Sequence, residues 1–382
     1  MGYWLKCLKN VGIALFILSL ACTVAMTIYL QLPMFGQLPA GVRLDSIRKL
    51  PNYRNGKFHN LHETQTIISN PLAAAFLFFA SRSRFASRMF GEEFATKPSY
   101  PLPTVRTDLK NLDLREDVLI WFGHSSYFIQ LQKQRILVDP LFSRVSSPLW
   151  FFPKAFAGTD VYGSEDMPEI DYLIITHDHW DHLDYKSVLA LKNKIKKIIC
   201  PIGVGQHFEY WGFSPKQIIE MHWHEKISHD KNLTIHCLPA RHFSGRGIFR
   251  NKSLWGSFLI VAGNFKVYVG GDSGYDTHYT EIGKKFGPLD LVILNSGQYD
   301  KNWKYNHMNV DEVIRASNDM QAKMLLPVHI CKISLAYHAW NEPLIGLSNR
   351  AKKTKFALLT PMIGEKIHLR FPHKTKCWWQ KI

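Results

Sequence analysis

The run Thr176-His177-Asp178-His179-Trp180-Asp181-His182 gathers four side chains of metal-ligating type, His177, His179, Asp181 and His182, within six positions. Imidazole and carboxylate together suit zinc and its transition-metal neighbours. The run follows the apolar residues Ile174 and Ile175, so it reads as a strand that ends on ligands. His177 and His179, two positions apart, leave an extended strand on the same face and can reach one ion. Asp181 and His182 follow on the turn, within reach of a second. A satisfied polar surface cluster is the plain alternative, but bare imidazoles at a strand end add no stability of their own.

Four ligands are too few for two ions, and three further apolar runs end on suitable residues. Leu238-Pro239-Ala240-Arg241 leads to His242, Val267-Tyr268-Val269-Gly270-Gly271 to Asp272, and Leu325-Leu326-Pro327-Val328 to His329. Singly, each histidine would read as a core residue. As a set with the first run, they supply the missing ligands. Two ions about 3.5–4 Å apart share a water and lower its pKa enough to provide hydroxide near neutral pH. Asp181 could orient that nucleophile. His307, on a loop after Trp303-Lys304-Tyr305, is a candidate to bond a substrate oxyanion or protonate a leaving group, or else a structural loop residue. His124 reads as a supporting or structural residue. Asp139 could accept an N–H from a ligand histidine or cap a turn.

The elements that must position these residues begin near residue 117, where short apolar runs separated by turn signals set in. Strands are expected over 118–122, 127–131, 135–138, 172–176, 197–200, 233–238, 257–261, 266–269, 291–294 and 324–327. Helices are expected over 185–192, 204–211, 279–286, 310–320 and 343–351. Hairpin-like pairs mixed with strand–helix alternation predict an α/β fold with mixed sheets flanked by helices.

At this point the residues resemble the metallo-β-lactamase family, whose ligand order is HxHxDH, then a distant His, an Asp after a strand, and a last His. Within that family the resemblance is closer to one branch, that of enzymes like N-acyl-phosphatidylethanolamine-hydrolysing phospholipase D. The matching pieces are Gly123-His124-Ser125-Ser126, Val138-Asp139-Pro140-Leu141-Phe142-Ser143, and the His177 run through Leu183-Asp184. Pro239 to Gly247, Gly271 to Tyr275, Phe286 to Asp290, and His307-Met308-Asn309 continue it, over roughly 115–365. The resemblance implies a four-layer αββα sandwich with two zinc ions. His177, His179 and His242 would hold the first, Asp181, His182 and His329 the second, and Asp272 would bridge them. Two segments depart from the family's pattern: Ile330-Cys331-Lys332-Ile333 after the last ligand, and Glu220-Met221-His222-Trp223-His224 before the third.

Upstream, residues 11–30 are uncharged and apolar for about the length of a spanning helix. Lys6 and Lys9 precede this stretch and the next positive charge is Arg43, a bias that places the catalytic body on the non-cytoplasmic side. A cleaved signal peptide is the rival, but no clean small-x-small site follows. The expected organisation is an anchor over 1–35, a linker and wrapping extension over 36–115, and the hydrolase domain over 116–382. A second stretch, 71–90, mixes phenylalanines with Arg82, Arg84 and Arg88, as an interfacial helix would, or a helix packed on the domain.

The 382 residues carry a net charge of +16, which favours an anionic membrane or a phosphate-bearing substrate. No nucleic-acid-binding module is present, so nucleic acid is not an expected partner. Six scattered cysteines form no disulfide pattern. The function expected is a membrane-associated phosphodiesterase acting on (N-acyl) phospholipid through a metal-bound hydroxide. A hydrolase of a lactone or other small ester, and a metal-binding membrane protein without turnover, are the alternatives.

Overall fold

The computed structural model describes residues 2–66, 96–149, 151–229 and 233–382; the stretch 71–90 lies outside them. Helix α1, Gly2–Leu30, is exposed along nearly its whole length. It is long and apolar enough to cross a membrane and is a candidate span. After a short turn at Pro33–Phe35, helix α2 covers Gly41–Ile47, and strands β1 (Tyr53–Arg54) and β2 (Lys57–Phe58) form a small hairpin.

The remainder folds as two seven-stranded mixed sheets. The first runs β16 (Lys366–His368), β3 (Val118–Trp121), β4 (Tyr127–Leu131), β5 (Gln134–Val138), β6 (Ile170–Ile174), β7 (Ile195–Pro201) and β8 (Ile218–Met221). The second runs β15 (Ala357–Leu358), β14 (Ala322–Val328), β13 (Leu289–Asn295), β12 (Phe265–Val269), β11 (Ser257–Ala262), β10 (Leu233–Leu238) and β9 (Lys226–His229).

Strand alternation assigns the layers. Leu119, Trp121, Ile136, Val138 and Ile174 face Ile235, Phe258, Ile260, Val267, Ile293 and Leu326 in a single core between the sheets. The alternate residues Val118, Ile120, Leu137 and Leu173 turn outward onto α3 (Tyr185–Leu191) and α4 (Gly205–Tyr210), against Val188, Leu191 and Phe208. On the other side Leu259, Tyr268, Val292 and Leu325 pack against α5 (His278–Phe286), α6 (Val310–Asp319) and α7 (Glu342–Ala351). Both faces of each sheet are therefore covered, which explains why the strands are apolar runs and not alternating ones. The expected αββα sandwich is the fold.

The pairing also fixes where ligands can meet. β3 and β4 are antiparallel, as are β4 and β5, while β5 and β6 are parallel. β3 and β6 therefore point the same way. By the same reasoning β10, β12 and β14 end together. Each residue singled out as a ligand follows one of these carboxyl ends.

The segment between α1 and β3 is packed on the domain where it is described. Ile47 and Phe58 are fully buried in the inter-sheet core. Arg43 bonds Glu209 at 2.6 Å and Glu220 at 2.7 Å, tying α2 to α4 and β8.

Candidate metal centre

At the carboxyl ends of β6, β10, β12 and β14 the structure gathers His177, His179, Asp181, His182, His242, Asp272 and His329 in one cage. His177 Nε2 and His242 Nε2 lie 2.9 and 3.2 Å from His179 Nδ1. Asp181 and His182 share a second cluster with His329 and with His124, and all its ligand atoms fall within 4.8 Å of one another. Asp272 sits between: its Oδ2 is 3.2 Å from His182 Nε2 and 3.8 Å from His242 Nε2, and its Oδ1 is 3.1 Å from His329 Nδ1.

Four of the five histidines, all but His179, are oriented from behind, and acceptor-only partners fix the tautomers of three. Asp139 Oδ2 accepts from His182 Nδ1 at 2.7 Å, and the same atom accepts the Thr176 hydroxyl at 2.6 Å. With its proton so committed, Thr176 Oγ1 can only accept from His177 Nδ1, 3.0 Å away. The Asn306 carbonyl accepts from His242 Nδ1 at 3.2 Å. Ser125 Oγ lies 3.0 Å from His329 Nδ1. In His177 and His242 the Nε2 lone pairs therefore point into the cage, and His182 turns its Nε2 the same way.

The residues present fit a bound cation. His182 Nε2, His329 Nε2, His307 Nδ1 and Asp272 Oδ1 are buried without a hydrogen-bond partner. Such orphaned atoms are costly unless something else satisfies them. Burial holds the imidazoles of His177, His242 and His329 well below their usual pKa and brings His179 to about 4, so they are neutral, as ligands must be. His182 is the exception. Burial would lower it, but Asp272, Asp181 and Asp139 overcome that and raise it well above the usual value.

The backbone is held in uncommon conformations here. His124, Asp139 and His329 adopt left-handed φ of 52°, 40° and 65°, each at a strand end, a cost the fold accepts where geometry is at stake. Gly271 (φ 59°) lets β12 approach β6 closely: a Cβ there would stand 2.7 Å from the Thr176 Cβ.

His307 reaches the centre. Its ring is 5.3 Å from His242 and 5.0 Å from His329, and its Nδ1 is 3.8 Å from Asp272. Burial lowers its pKa. Asp139 proves to accept the N–H of a prospective ligand histidine. Sequence reasoning undervalued His124, which is fully buried with Nε2 2.8 Å from Asp181 Oδ2. The signal was present, because it too is a histidine just past a strand end. It missed Asn60 altogether, whose amide bonds the His242 backbone twice, at 2.8 and 3.1 Å. No local pattern marks that residue.

Comparison with known proteins agrees with this arrangement. Residues 134–330 match the beta-lactamase superfamily domain. A protein of Mycobacterium tuberculosis without an assigned function is 33% identical over 344 residues, 86% of this chain and 87% of the relative. The N-acyl-phosphatidylethanolamine-hydrolyzing phospholipase D 1 of Caenorhabditis elegans is 30% identical over 222 residues, 55% of this chain and 62% of that enzyme. Among solved structures, an isothiocyanate hydrolase from Delia radicum gut bacteria superposes with TM-score 0.53 at 17% identity, over 65% of this chain and 98% of that one. The diiron beta-hydroxylase CmlA of Streptomyces venezuelae does so with TM-score 0.50 at 19% identity, over 66% and 54%. These two share the fold while differing in chemistry, so the fold alone selects neither metal nor reaction. On the extent of the family match, the layered architecture and the relatives, this chain belongs to the beta-lactamase superfamily and has the metallo-β-lactamase fold.

Proposed function

We propose that this protein is a membrane-anchored, binuclear zinc hydrolase that cleaves the headgroup-side phosphodiester of a phospholipid, N-acylated phosphatidylethanolamine being the favoured substrate. The observation that carries the reading is the double cage around Asp272, in a chain 30% identical over 222 residues to an N-acyl-phosphatidylethanolamine-hydrolyzing phospholipase D. The basic balance and the candidate span α1 support a lipid substrate. The lysines before α1 favour a non-cytoplasmic position for the domain.

His177, His179 and His242 would hold one ion, Asp181, His182 and His329 the other, with Asp272 shared. Such ions supply Lewis acidity and an activated water. The chain's own residues do the remainder. His124 donates to Asp181 Oδ2 and fixes that carboxylate, whose free edge can orient the attacking water. His307, with its side chain 13% exposed, is open to substrate and can donate to a phosphoryl oxygen or to the departing alcohol. Arg250 lies 5.1 Å over the Phe243 ring, itself 4.4 Å from His179, and presents a cation to an anionic substrate. The oxygen of water bonds to phosphorus as the P–O bond to the headgroup breaks. The alcohol leaves with a proton, and phosphatidic acid remains.

Hydrolysis of a lactone or other small ester is the second reading, favoured by the altered segment Ile330–Ile333. That segment is buried, and Lys332 Nζ within it bonds the Phe122 carbonyl at 3.2 Å. Metal analysis of the purified full chain, with headgroup release from mixed phospholipids for wild type and His177→Ala, tests both. The expected outcome is two metals with release in wild type, and loss of both in the variant. Two metals with no release would sink the phospholipid reading and keep the hydrolase one.

A further inference from the structure

The end of α1 is fastened to the ligand loop from several directions. The Tyr29 hydroxyl donates to the Pro148 carbonyl at 2.6 Å. Its ring meets Phe35 edge-on at 5.5 Å, and Phe35 meets Trp180, inside the ligand run, at 5.1 Å. The buried Arg246 guanidinium lies 4.1 Å over Trp180 and donates to the carbonyls of Met34, Asp178 and Leu183 at 2.9, 3.0 and 2.6 Å. Trp211 Nε1 holds the Pro33 carbonyl at 2.7 Å, and the Gln37 N–H donates to His207 Nδ1 at 3.1 Å. A tether that only kept the domain near a membrane would need none of these contacts.

Large apolar side chains stand exposed around this exit. Leu149 and Phe151, beside the Pro148 that Tyr29 grips, are 37% and 48% exposed. Ile248 and Phe249, on the loop after His242, are 71% and 62% exposed. Gly247, the next residue back, has its Cβ position 3.8 Å from the Phe35 ring. Leu32, in the turn itself, is 39% exposed. The patch therefore surrounds the helix exit and the Trp180 side of the cage together.

Geometry dictates what covers it. At about 1.5 Å per residue, the uncharged stretch 11–30 matches a hydrocarbon core of about 30 Å, which puts the last turn of α1 at the lipid–water boundary. Tyr29 is a residue type that favours that boundary. Because the exit is pinned to the domain, the two loops lie beside the point where α1 would enter the bilayer. We propose that Leu32, the loop about Leu149 and the loop about Ile248 and Phe249 form a rim immersed in the bilayer that α1 crosses. The rim seats the metal cage against the headgroup layer, so that a glycerophospholipid enters headgroup-first without leaving the membrane. This deepens the phospholipid reading and rests on it for the identity of the ligand.

The test uses the full chain with Cys7, Cys22 and Cys377, its exposed cysteines, changed to Ser. It is reconstituted into vesicles of phosphatidylcholine with minor shares of phosphatidylglycerol and N-acylated phosphatidylethanolamine. An environment-sensitive fluorophore is placed on Ile248→Cys, or on Phe371→Cys as control. Phe371 is 87% exposed and follows β16, whose His368 pairs with Val118 at the start of β3, the end away from the cage. Spin-labelled lipid should quench the probe at 248 and leave the probe at 371 bright. Equal brightness at both positions would overturn the rim. A concentration-dependent spectral shift at 248 without quenching would overturn it as well, showing that a second copy covers the patch. The double variant Ile248→Ser, Phe249→Ser should lose roughly tenfold or more in kcat/KM on vesicle lipid, and hold its rate on a short-chain soluble diester. Quenching needs no turnover, so the two readings fail separately. Quenching without headgroup release sinks the substrate assignment, and release without quenching sinks the rim.

Discussion

Changing Asp139 to Asn isolates the support behind a single ligand. The carboxylate takes the Thr176 N–H on Oδ1 at 2.9 Å, and both the Thr176 hydroxyl and His182 Nδ1–H on Oδ2. In Asp139→Asn the amide oxygen must stay on the Thr176 N–H, since a buried backbone donor left unpaired costs about 1–3 kcal/mol. The NH2 group then occupies the Oδ2 position and faces His182 Nδ1. Two N–H groups cannot face each other, so His182 must move its proton to Nε2, the nitrogen aimed into the cage. A protonated Nε2 has no lone pair to offer a metal. Loss of an orienting partner of this kind typically weakens metal binding about 10- to 100-fold, or about 1.4–2.8 kcal/mol. The weakening should fall on the ion held by His182 and spare that held by His177, His179 and His242. Chelator competition followed by metal counting should show one ion released early, with activity falling in step and the stability gained on metal loading reduced by up to the same about 1.4–2.8 kcal/mol. Wild-type affinity for both ions in Asp139→Asn would refute the reasoning.

Other perturbations reach different parts of the structure. His307→Ala should lower kcat by about 10²–10⁴-fold while both ions stay bound; loss of an ion instead would make His307 a ligand. Gly271→Ala combines a left-handed φ with a 2.7 Å contact to Thr176, and should cost about 2–4 kcal/mol in chemical denaturation. Lys332 is buried, and burial lowers its pKa from 10.5 to about 8. The folded chain therefore binds this proton less well than the unfolded one, so stability should rise as pH climbs from about 8 to 10.5. Lys332→Met should remove that slope and gain about 3 kcal/mol near pH 7; an unchanged slope would show that another group causes it.

The candidate ligands stood out because each lies just past an apolar run, where chain-local pattern and chemistry coincide. The central strands were legible for the same reason, since both their faces are covered. The edge strands were not. β8 is only partly buried over Ile218, Ile219 and Glu220, and β15 and β16 span Ala357–Leu358 and Lys366–His368, too short to show a period. The residues behind the ligands were hidden for a deeper reason. Asn60, Ser125 and Asn306 act through contacts 182, 204 and 64 residues away along the chain, and only the closed sandwich brings them together.

The placement of β16 bears on how the protein is made. It pairs with β3, the first strand of its sheet, and Lys366 bonds Glu116 across 250 residues. β3 therefore lacks one edge partner until the chain has been made as far as residue 368. Closing so long a loop is slow compared with forming a hairpin. Until β16 arrives the sheet ends in an open edge at β3, where a strand of another chain could pair in its place.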